Sequence, residues 1–284
     1  MKEAYLDLRI SSGTMKPFGD LPRIDINKHY FSGGECHISL KELDDLKDVE
    51  HVYILCHGQG HHNVMEALQA NNILKNNGID RVSLYMPYFY YSRQDRATTP
   101  ESSFALKIFC QLLQTAGFHT IYTHDMHSAV AHDFLPNLND HTPAKFLREV
   151  WSLGKYDYII APDAGATAKI AEVCMLVGIS EDKIVTATKH RDPKTGQLGD
   201  PSMSAENLNK LAGASALVFD DICDGGYTFI QLANFLDKEV KCELDLAVTH
   251  GIFSKGVTAL QKVFGTIYTT DSMNEQFGTE QIAH

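Results

Sequence analysis

The sequence predicts an α/β protein organised as two doubly wound domains with mainly parallel sheets. Three observations carry that prediction. Strand-like apolar runs alternate with segments of helical spacing almost throughout. Several helical segments end at a glycine and give way to a strand a few residues later, as a parallel crossover does. The 284 residues correspond to about two domains of roughly 150 residues each. Two successive α/β series flank the polar stretch Pro136–Pro143, so the expected domains are 1–140 and 141–284.

Each element has its own reason. His51–Cys56 (HVYILC) is an apolar run of strand length. Asn63–Lys75 has helical spacing and stops before Gly78, and Arg81–Met86 is the next strand. Thr99 reads as an N-cap, with Pro100 at the first helical position and Glu101 in the first turn. That helix runs through Phe104, Ile108, Leu112 and Leu113 and ends at Gly117, and Thr120–Thr123 returns as a short strand. In the second series Ala144–Trp151 is helical and Tyr158–Ala161 is a strand. Thr167–Val177 is a helix closed by Gly178, followed by a strand over Lys183–Thr188. Ser215–Phe219 is a strand, Tyr227–Leu236 a helix and Leu244–Thr249 a strand.

Composition narrows the class. Hydrophobic residues make up 44% and charged residues 21%, which excludes disordered and collagen-like chains. A chain of this size buries about 74% of its extended surface, enough to fold without disulfides or a structural metal. The net charge of −11 argues against binding nucleic acid or an acidic membrane, since phosphate contacts need a basic face. It leaves room for small phosphorylated substrates, which need only a local cluster of donors. No apolar run approaches the roughly 18 residues of a membrane span. Acids stand among Met1–Asp7, where a secretory leader would be basic and then apolar. The six cysteines are scattered without a C-x-x-C pair. They read as reduced thiols of a cytoplasmic protein.

The sharpest motif is Ala216–Phe229. An apolar strand runs into Asp220 and Asp221, then a small-residue loop (Asp224, Gly225, Gly226), then a helix opening at Tyr227 and Thr228. Ligands of parallel sheets bind at the carboxyl ends of strands. Glycines let backbone N–H groups close on a phosphate, and the helix start adds its dipole. The acids suit ribose hydroxyls or a metal instead. Further strand-end segments follow the same logic: Pro87–Arg96, Thr123–Ser128, Ala161–Ala166 and Thr186–Asp192. Arginine in the first of these can bind polyphosphate through paired donors, and its aromatic run can wall an adenine. In the last, Lys189 and Arg191 can point the same way from an extended segment. The turn-rich residues that follow, Asp192–Pro201, suit a mobile flap.

These segments resemble those of the ribose-phosphate pyrophosphokinases, also called phosphoribosyl pyrophosphate synthetases. Asp220–Thr228 is similar to the family's ribose 5-phosphate loop D-D-x-x-D-T-A/G-G-T, with Gly225 where that pattern has Thr and Tyr227 where it has its last Gly. Pro87–Asp95 resembles the ATP segment P-Y-x-x-Y-x-R-Q-D, which implies that Arg93, Gln94 and Asp95 bind ATP. His127 falls on the histidine of M-D-L-H-A, which implies a place in the metal–ATP site. Ala161–Ala166 resembles the pyrophosphate loop P-D-x-G-G, which implies that Asp163 holds Mg2+, the expected cofactor. Lys189 and Arg191 fall on the catalytic K-x-R, with Arg191 also implied in binding the sugar phosphate. Tyr30–Glu35 resembles F-S-[DN]-G/Q-E, a loop that the family supplies across a dimer interface. It implies ATP contacts from Phe31, Gly33, Gly34 and Glu35 and a homo-oligomer of two or more chains. His57, His61 and His62 precede Asn63-Val-Met-Glu66, similar to the family's N-L-M-E, and read as a substrate-proximal loop rather than a metal site.

The resemblance implies two phosphoribosyltransferase-like domains, with the ATP segment in the first and the ribose 5-phosphate and pyrophosphate loops in the second. It implies the transfer of the pyrophosphoryl group of ATP to the 1-hydroxyl of ribose 5-phosphate, giving phosphoribosyl pyrophosphate and AMP for nucleotide or NAD synthesis. Two alternatives share part of the pattern. A phosphoribosyltransferase consuming the product has the ribose-phosphate loop but no use for the ATP segment or for Lys189 and Arg191. A non-catalytic regulatory subunit of a synthetase has no need of intact catalytic residues.

Overall fold

The computed structural model describes residues 2–9, 18–57, 61–191, 198–273 and 280–282; for 61, 189–191, 198–199 and 280–282 it describes backbone alone. The chain divides into two compact units, Met1–His141 and Thr142–His284.

The first unit opens with β1 (Lys2–Asp7), β2 (Arg23–Ile24), β3 (Ile26–Tyr30), β4 (Cys36–Leu40) and β5 (Val49–Leu55). It continues with α1 (His61–Asn76), β6 (Arg81–Tyr85), α2 (Ala105–Ala116), β7 (Ile121–His124) and β8 (Leu138–His141). Six strands form a parallel sheet in the order β2-β1-β5-β6-β7-β8. Alternation along the strands sends Ala4, Leu6, Val52, Ile54, Val82, Leu84 and Ile121 into one core with α1 and α2. On the opposite face Phe18 packs its ring on Tyr5, Tyr53 and Tyr85. β3 and β4 form a separate antiparallel hairpin. Its pattern, INKHY, is largely polar, so hydrophobic periodicity does not reveal it.

The second unit comprises α3 (Ala144–Leu153), β9 (Tyr158–Ala161), α4 (Ala164–Val177), β10 (Ile184–Thr186), β11 (Thr188–Arg191) and β12 (Leu198–Ser202). Then come α5 (Ala205–Leu211), β13 (Ser215–Cys223), α6 (Tyr227–Glu239), β14 (Glu243–Gly251), β15 (Ile267–Thr270) and β16 (Glu280–Ile282). Its parallel sheet runs β10-β9-β13-β14-β15-β16. Both faces are covered. Ile160, Val218, Leu246 and Val248 pack with α6. Ile159, Ala161, Leu217, Phe219 and Ala247 pack with α3 and α4. This is the α/β architecture with mainly parallel sheets that the strand–helix alternation predicts.

Two local expectations are corrected. The helix expected to start at Thr99 and Pro100 begins at Ala105, after Phe104. The Ser102 hydroxyl accepts from the Thr99 N–H at 2.9 Å and donates to the Thr99 carbonyl at 2.8 Å. That side chain closes a turn and competes with the helix for the same backbone groups. The helix does end at Gly117, which adopts φ +65°. The strand expected to stop at Phe219 runs on to Cys223. Its neighbour β14 is equally long, and the register continues through Asp220↔Val248 and Ile222↔His250 to Cys223↔Gly251. The ladder thus overrides the low strand propensity of aspartate.

Candidate active site

The sheet order of the second unit dictates where a ligand can enter. From β9 the chain crosses through α4 to β10 on one side, while β13, on the other side of β9, leads through α6 to β14. Because α4 and α6 cover opposite faces, a crevice opens between the carboxyl ends of β9 and β13, the usual ligand position in such sheets. Asp163 follows β9, and Asp220, Asp221 and Asp224 lie at the end of β13.

Asp163 is half-buried and caps α4, its Oδ1 accepting the Ala166 N–H at 3.1 Å. Asp220 Oδ1 accepts the backbone N–H of Asp221 at 2.9 Å. Asp221 Oδ2 lies 3.5 Å from Lys169 Nζ, which reaches it from α4. Lys169 therefore bridges the crevice from the pyrophosphate-loop side to the ribose-loop side. The sequence reading did not find it. The signal was its position six residues after Asp163 on the helix that Asp163 caps.

Beyond the acids, Gly226 adopts φ +77° and heads α6 without a side-chain cap, while Gly225 and Tyr227 are exposed and Thr228 is half-buried. Cys223, buried just before the loop, has its thiol pushed up to about 12 by burial and by the nearby charges of Asp220 and Asp224. It stays a protonated core thiol, and all six cysteines are free. Lys189 and Arg191 lie on β11, which pairs antiparallel with β12 as Lys189↔Pro201 and Arg191↔Leu198. The flap expected over Asp192–Pro201 thus includes strand from Leu198 onward, and 192–197 lie outside the described residues.

In the first unit the two segments expected to serve ATP meet. The Ser128 hydroxyl, after β7, donates to Asp95 Oδ2 at 2.9 Å, after β6. The backbone of His124 donates to the Pro87 carbonyl at 3.2 Å, and Asp140 accepts from the Met126 N–H at 3.2 Å. Arg93, Gln94 and His127 stand exposed on this edge. The aromatic run is placed differently from the adenine wall expected of it. Phe89 is buried against Phe109 of α2, and Tyr90 and Tyr91 pack on the same ring. These rings are apolar enough, and near enough to α2, that the core claims them. Burial raises the Tyr90 hydroxyl far above its usual range.

The loop carrying Phe31, Gly33, Gly34 and Glu35 tips the β3–β4 hairpin, and all four residues are exposed. Phe31 donates to the Glu35 carbonyl at 2.8 Å, and Gly34, at φ +98°, donates back to Phe31 at 2.9 Å. The hairpin is held to α1 by Glu66, a fully buried carboxylate 2.6 Å from Lys28 Nζ. Glu66 also accepts from the Tyr30 hydroxyl, which is pushed up to about 12 mainly by that bond. Gln69 adds a bond from the Ile38 N–H at 3.0 Å and donates to the Cys36 carbonyl at 2.9 Å.

A family model described as the N-terminal domain of ribose phosphate pyrophosphokinase matches residues 9–117. The ribose-phosphate pyrophosphokinase of Mycoplasmopsis pulmonis is 28% identical over 255 residues, spanning 88% of this chain and 77% of that protein. That of Pyrococcus furiosus is 26% identical over 265 residues, spanning 92% and 90%. The crystal structure of phosphoribosylpyrophosphate synthetase from Mycobacterium smegmatis shares the fold, with a TM-score of 0.81 at 18% identity over 100% of this chain and 95% of that one. The chain is thus similar to ribose-phosphate pyrophosphokinases over most of its length.

The magnesium ion implied by this family can be tested against the donors present. No group of three or more His, Cys, Asp or Glu side chains that could cage a metal occurs among the described residues. Mg2+ needs no such cage, because it keeps several waters and takes one or two carboxylates along with substrate phosphates. Asp163 presents a half-buried carboxylate at a strand end, the kind of oxygen ligand this ion takes. Asp163 fits the ion; in the first unit His127 is exposed.

Proposed function

We propose that the chain transfers the pyrophosphoryl group of ATP to the 1-hydroxyl of ribose 5-phosphate, releasing AMP and phosphoribosyl pyrophosphate. The oxygen of the sugar forms a bond to the β-phosphorus, and the bond from that phosphorus to the oxygen shared with the α-phosphate breaks. The single observation that carries this reading is the gathering of Asp163, Lys169, Asp221 and the Asp224–Thr228 loop at one topological switch point.

Phosphoryl transfer asks the protein mainly for position and charge neutralisation. Asp220 and Asp221 accept the ribose hydroxyls, and the backbone of Gly225–Thr228 at the start of α6 receives the 5-phosphate. In this reading the first unit is the ATP domain: Arg93, Gln94 and Asp95 contact the nucleotide, joined by Phe31, Gly33, Gly34 and Glu35 of a neighbouring chain. That assignment makes the active form a homo-oligomer. Lys189 and Arg191 stabilise the charge that grows during transfer, and Arg191 also contacts the sugar phosphate. Asp163 in the second unit and His127 in the first are each assigned as a ligand for Mg2+, an ion that would neutralise polyphosphate charge. The product serves nucleotide or NAD synthesis in the cytoplasm. No helix among the described residues is long and apolar enough to cross a membrane.

Steady-state kinetics of Lys189→Ala test this assignment. Contacts made only in the transition state change kcat rather than KM. The variant should lose about 10²–10³ in kcat and keep both KM values. Unchanged turnover would remove this hairpin from the chemistry.

A further inference from the structure

We propose that Lys255, on the turn after β14, is a ligand for the 5-phosphate of ribose 5-phosphate. The inference rests on the ribose-phosphate reading of the Asp224–Thr228 loop and adds a residue that the loop motif does not contain.

A second loop is clamped beside the first. Ile252 and Phe253 both donate to the Cys223 carbonyl, at 2.9 and 3.1 Å, and Ser254 donates to the Asp224 carbonyl at 3.1 Å. Phe253 is buried and held at φ +46°, a conformation an L residue keeps only when its surroundings impose it. Gly256 donates back to Phe253 at 2.8 Å with φ +71°. The Ser254–Lys255 turn is thereby fixed against the ribose-phosphate loop.

Gly225 faces this turn. A β-carbon placed on it would lie 3.6 Å from Lys255 Cγ and 3.9 Å from Ser254 Oγ. The lysine stem would thus lie in van der Waals contact with a side chain at this position. At this position the loop motif it resembles carries Thr, whose branch would push further toward the stem. The smaller residue and the overlying lysine form one local arrangement.

Charge argues for the same role. Asp220, Asp221 and Asp224 stand around a site meant for a dianion, and Lys169 already pairs with Asp221. Lys255 is exposed and enters no ion pair among the described residues. Its flexible stem and compact ammonium suit a phosphate at the N-terminus of α6. Ser254 is placed to add a hydroxyl donor.

Calorimetric titration of the full-length protein with ribose 5-phosphate tests this, using wild type, Lys255→Met, Lys255→Arg and Asp220→Asn. At pH 7.5 Lys255→Met should bind roughly tenfold more weakly, as loss of one charge-assisted contact does. Lys255→Arg should stay within about threefold of wild type, because the charge is kept. The deficit of Lys255→Met should shrink at pH 5.5, where the phosphate, with its second pKa near 6, is largely a monoanion. KM for ATP should not move. Gly225→Thr, which crowds the stem, should also weaken binding and add little in combination with Lys255→Met. Wild-type affinity in Lys255→Met, with affinity reduced in Asp220→Asn, would overturn the role of Lys255 and keep the loop assignment. Absence of ribose 5-phosphate binding by the wild-type chain would overturn both.

Discussion

Ser128 donates a hydrogen bond to Asp95 at 2.9 Å, joining the segment after β6 to the segment after β7. The two lie 33 residues apart in sequence, and the family resemblance implies nucleotide binding for both segments. The bond fixes the direction of Asp95 relative to the exposed Arg93 and Gln94. Ser128→Ala should raise KM for ATP about tenfold, as expected for one lost bond to a partly exposed carboxylate, and leave KM for ribose 5-phosphate unchanged. Initial rates at varied ATP check this. A change confined to the sugar would move these segments out of the nucleotide site.

Asp220 and Asp221 should divide from the ATP segment in the same experiment. A carboxylate accepting ribose hydroxyls makes bonds worth roughly 1.5–3 kcal/mol each. Asp220→Asn and Asp221→Asn should each raise KM for ribose 5-phosphate about tenfold to a hundredfold. Lys169→Met should shift the same constant, because Lys169 sets the position of Asp221 from 3.5 Å away. If KM for ATP rises instead, these acids serve the metal–nucleotide side.

The Lys28–Glu66 pair should govern how firmly the β3–β4 hairpin is held. Glu66 is fully buried, so removing its cation leaves a desolvated charge. Breaking such a pair costs about 3–5 kcal/mol, and the remaining Tyr30 bond keeps the expected loss for Lys28→Met near the lower figure. Urea denaturation measures it. A loss below about 1 kcal/mol would show that the pair contributes little.

His51 should make stability fall on acidification. Its pKa is lowered by burial and by the adjacent charges of Arg81 and His119, against the opposing pull of Glu3. The unfolded chain therefore binds a proton near pH 6.5 that the folded chain takes up only at lower pH. The stability contributed by neutral His51 is present above that value and lost as the pH falls toward the folded pKa. Melting temperatures from pH 7.5 to 5.5 should drop less steeply in His51→Gln than in wild type. Parallel slopes would remove His51 as a contributor.

Much of the fold was legible because parallel α/β crossovers write themselves as apolar runs with glycine stops. Tyr158–Ala161 is a strand as expected, and Gly117 and Gly178 both close their helices in the left-handed region. The β3–β4 hairpin was not read from the sequence, since β3 is largely polar and the apolar face of β4 is only three residues, Cys36, Ile38 and Leu40. The start of α2 was misread because Thr99-Pro100-Glu101 offers good capping chemistry, while Ser102 uses Thr99 for a turn instead. Phe89–Tyr91 could wall an adenine by sequence, and their packing on Phe109 places them with the core instead. Lys169 and Lys255 could not be found by motif, because only the fold brings Lys169 to Asp221 and Lys255 beside Gly225. Asp220 and Asp221 stood out in the sequence because they follow an apolar strand segment, and the structure keeps them within β13 near its end.

The most direct test of the account is the identity of the phosphorus that is attacked. Purified chain, ATP, ribose 5-phosphate and Mg2+ are followed by phosphorus NMR. Attack at the β-phosphorus predicts AMP and phosphoribosyl pyrophosphate growing in equal amounts, with no ADP formed. ADP appearing with a singly phosphorylated 1-position, or no consumption of ATP by a chain that transfers phosphoribose to a base, would contradict it.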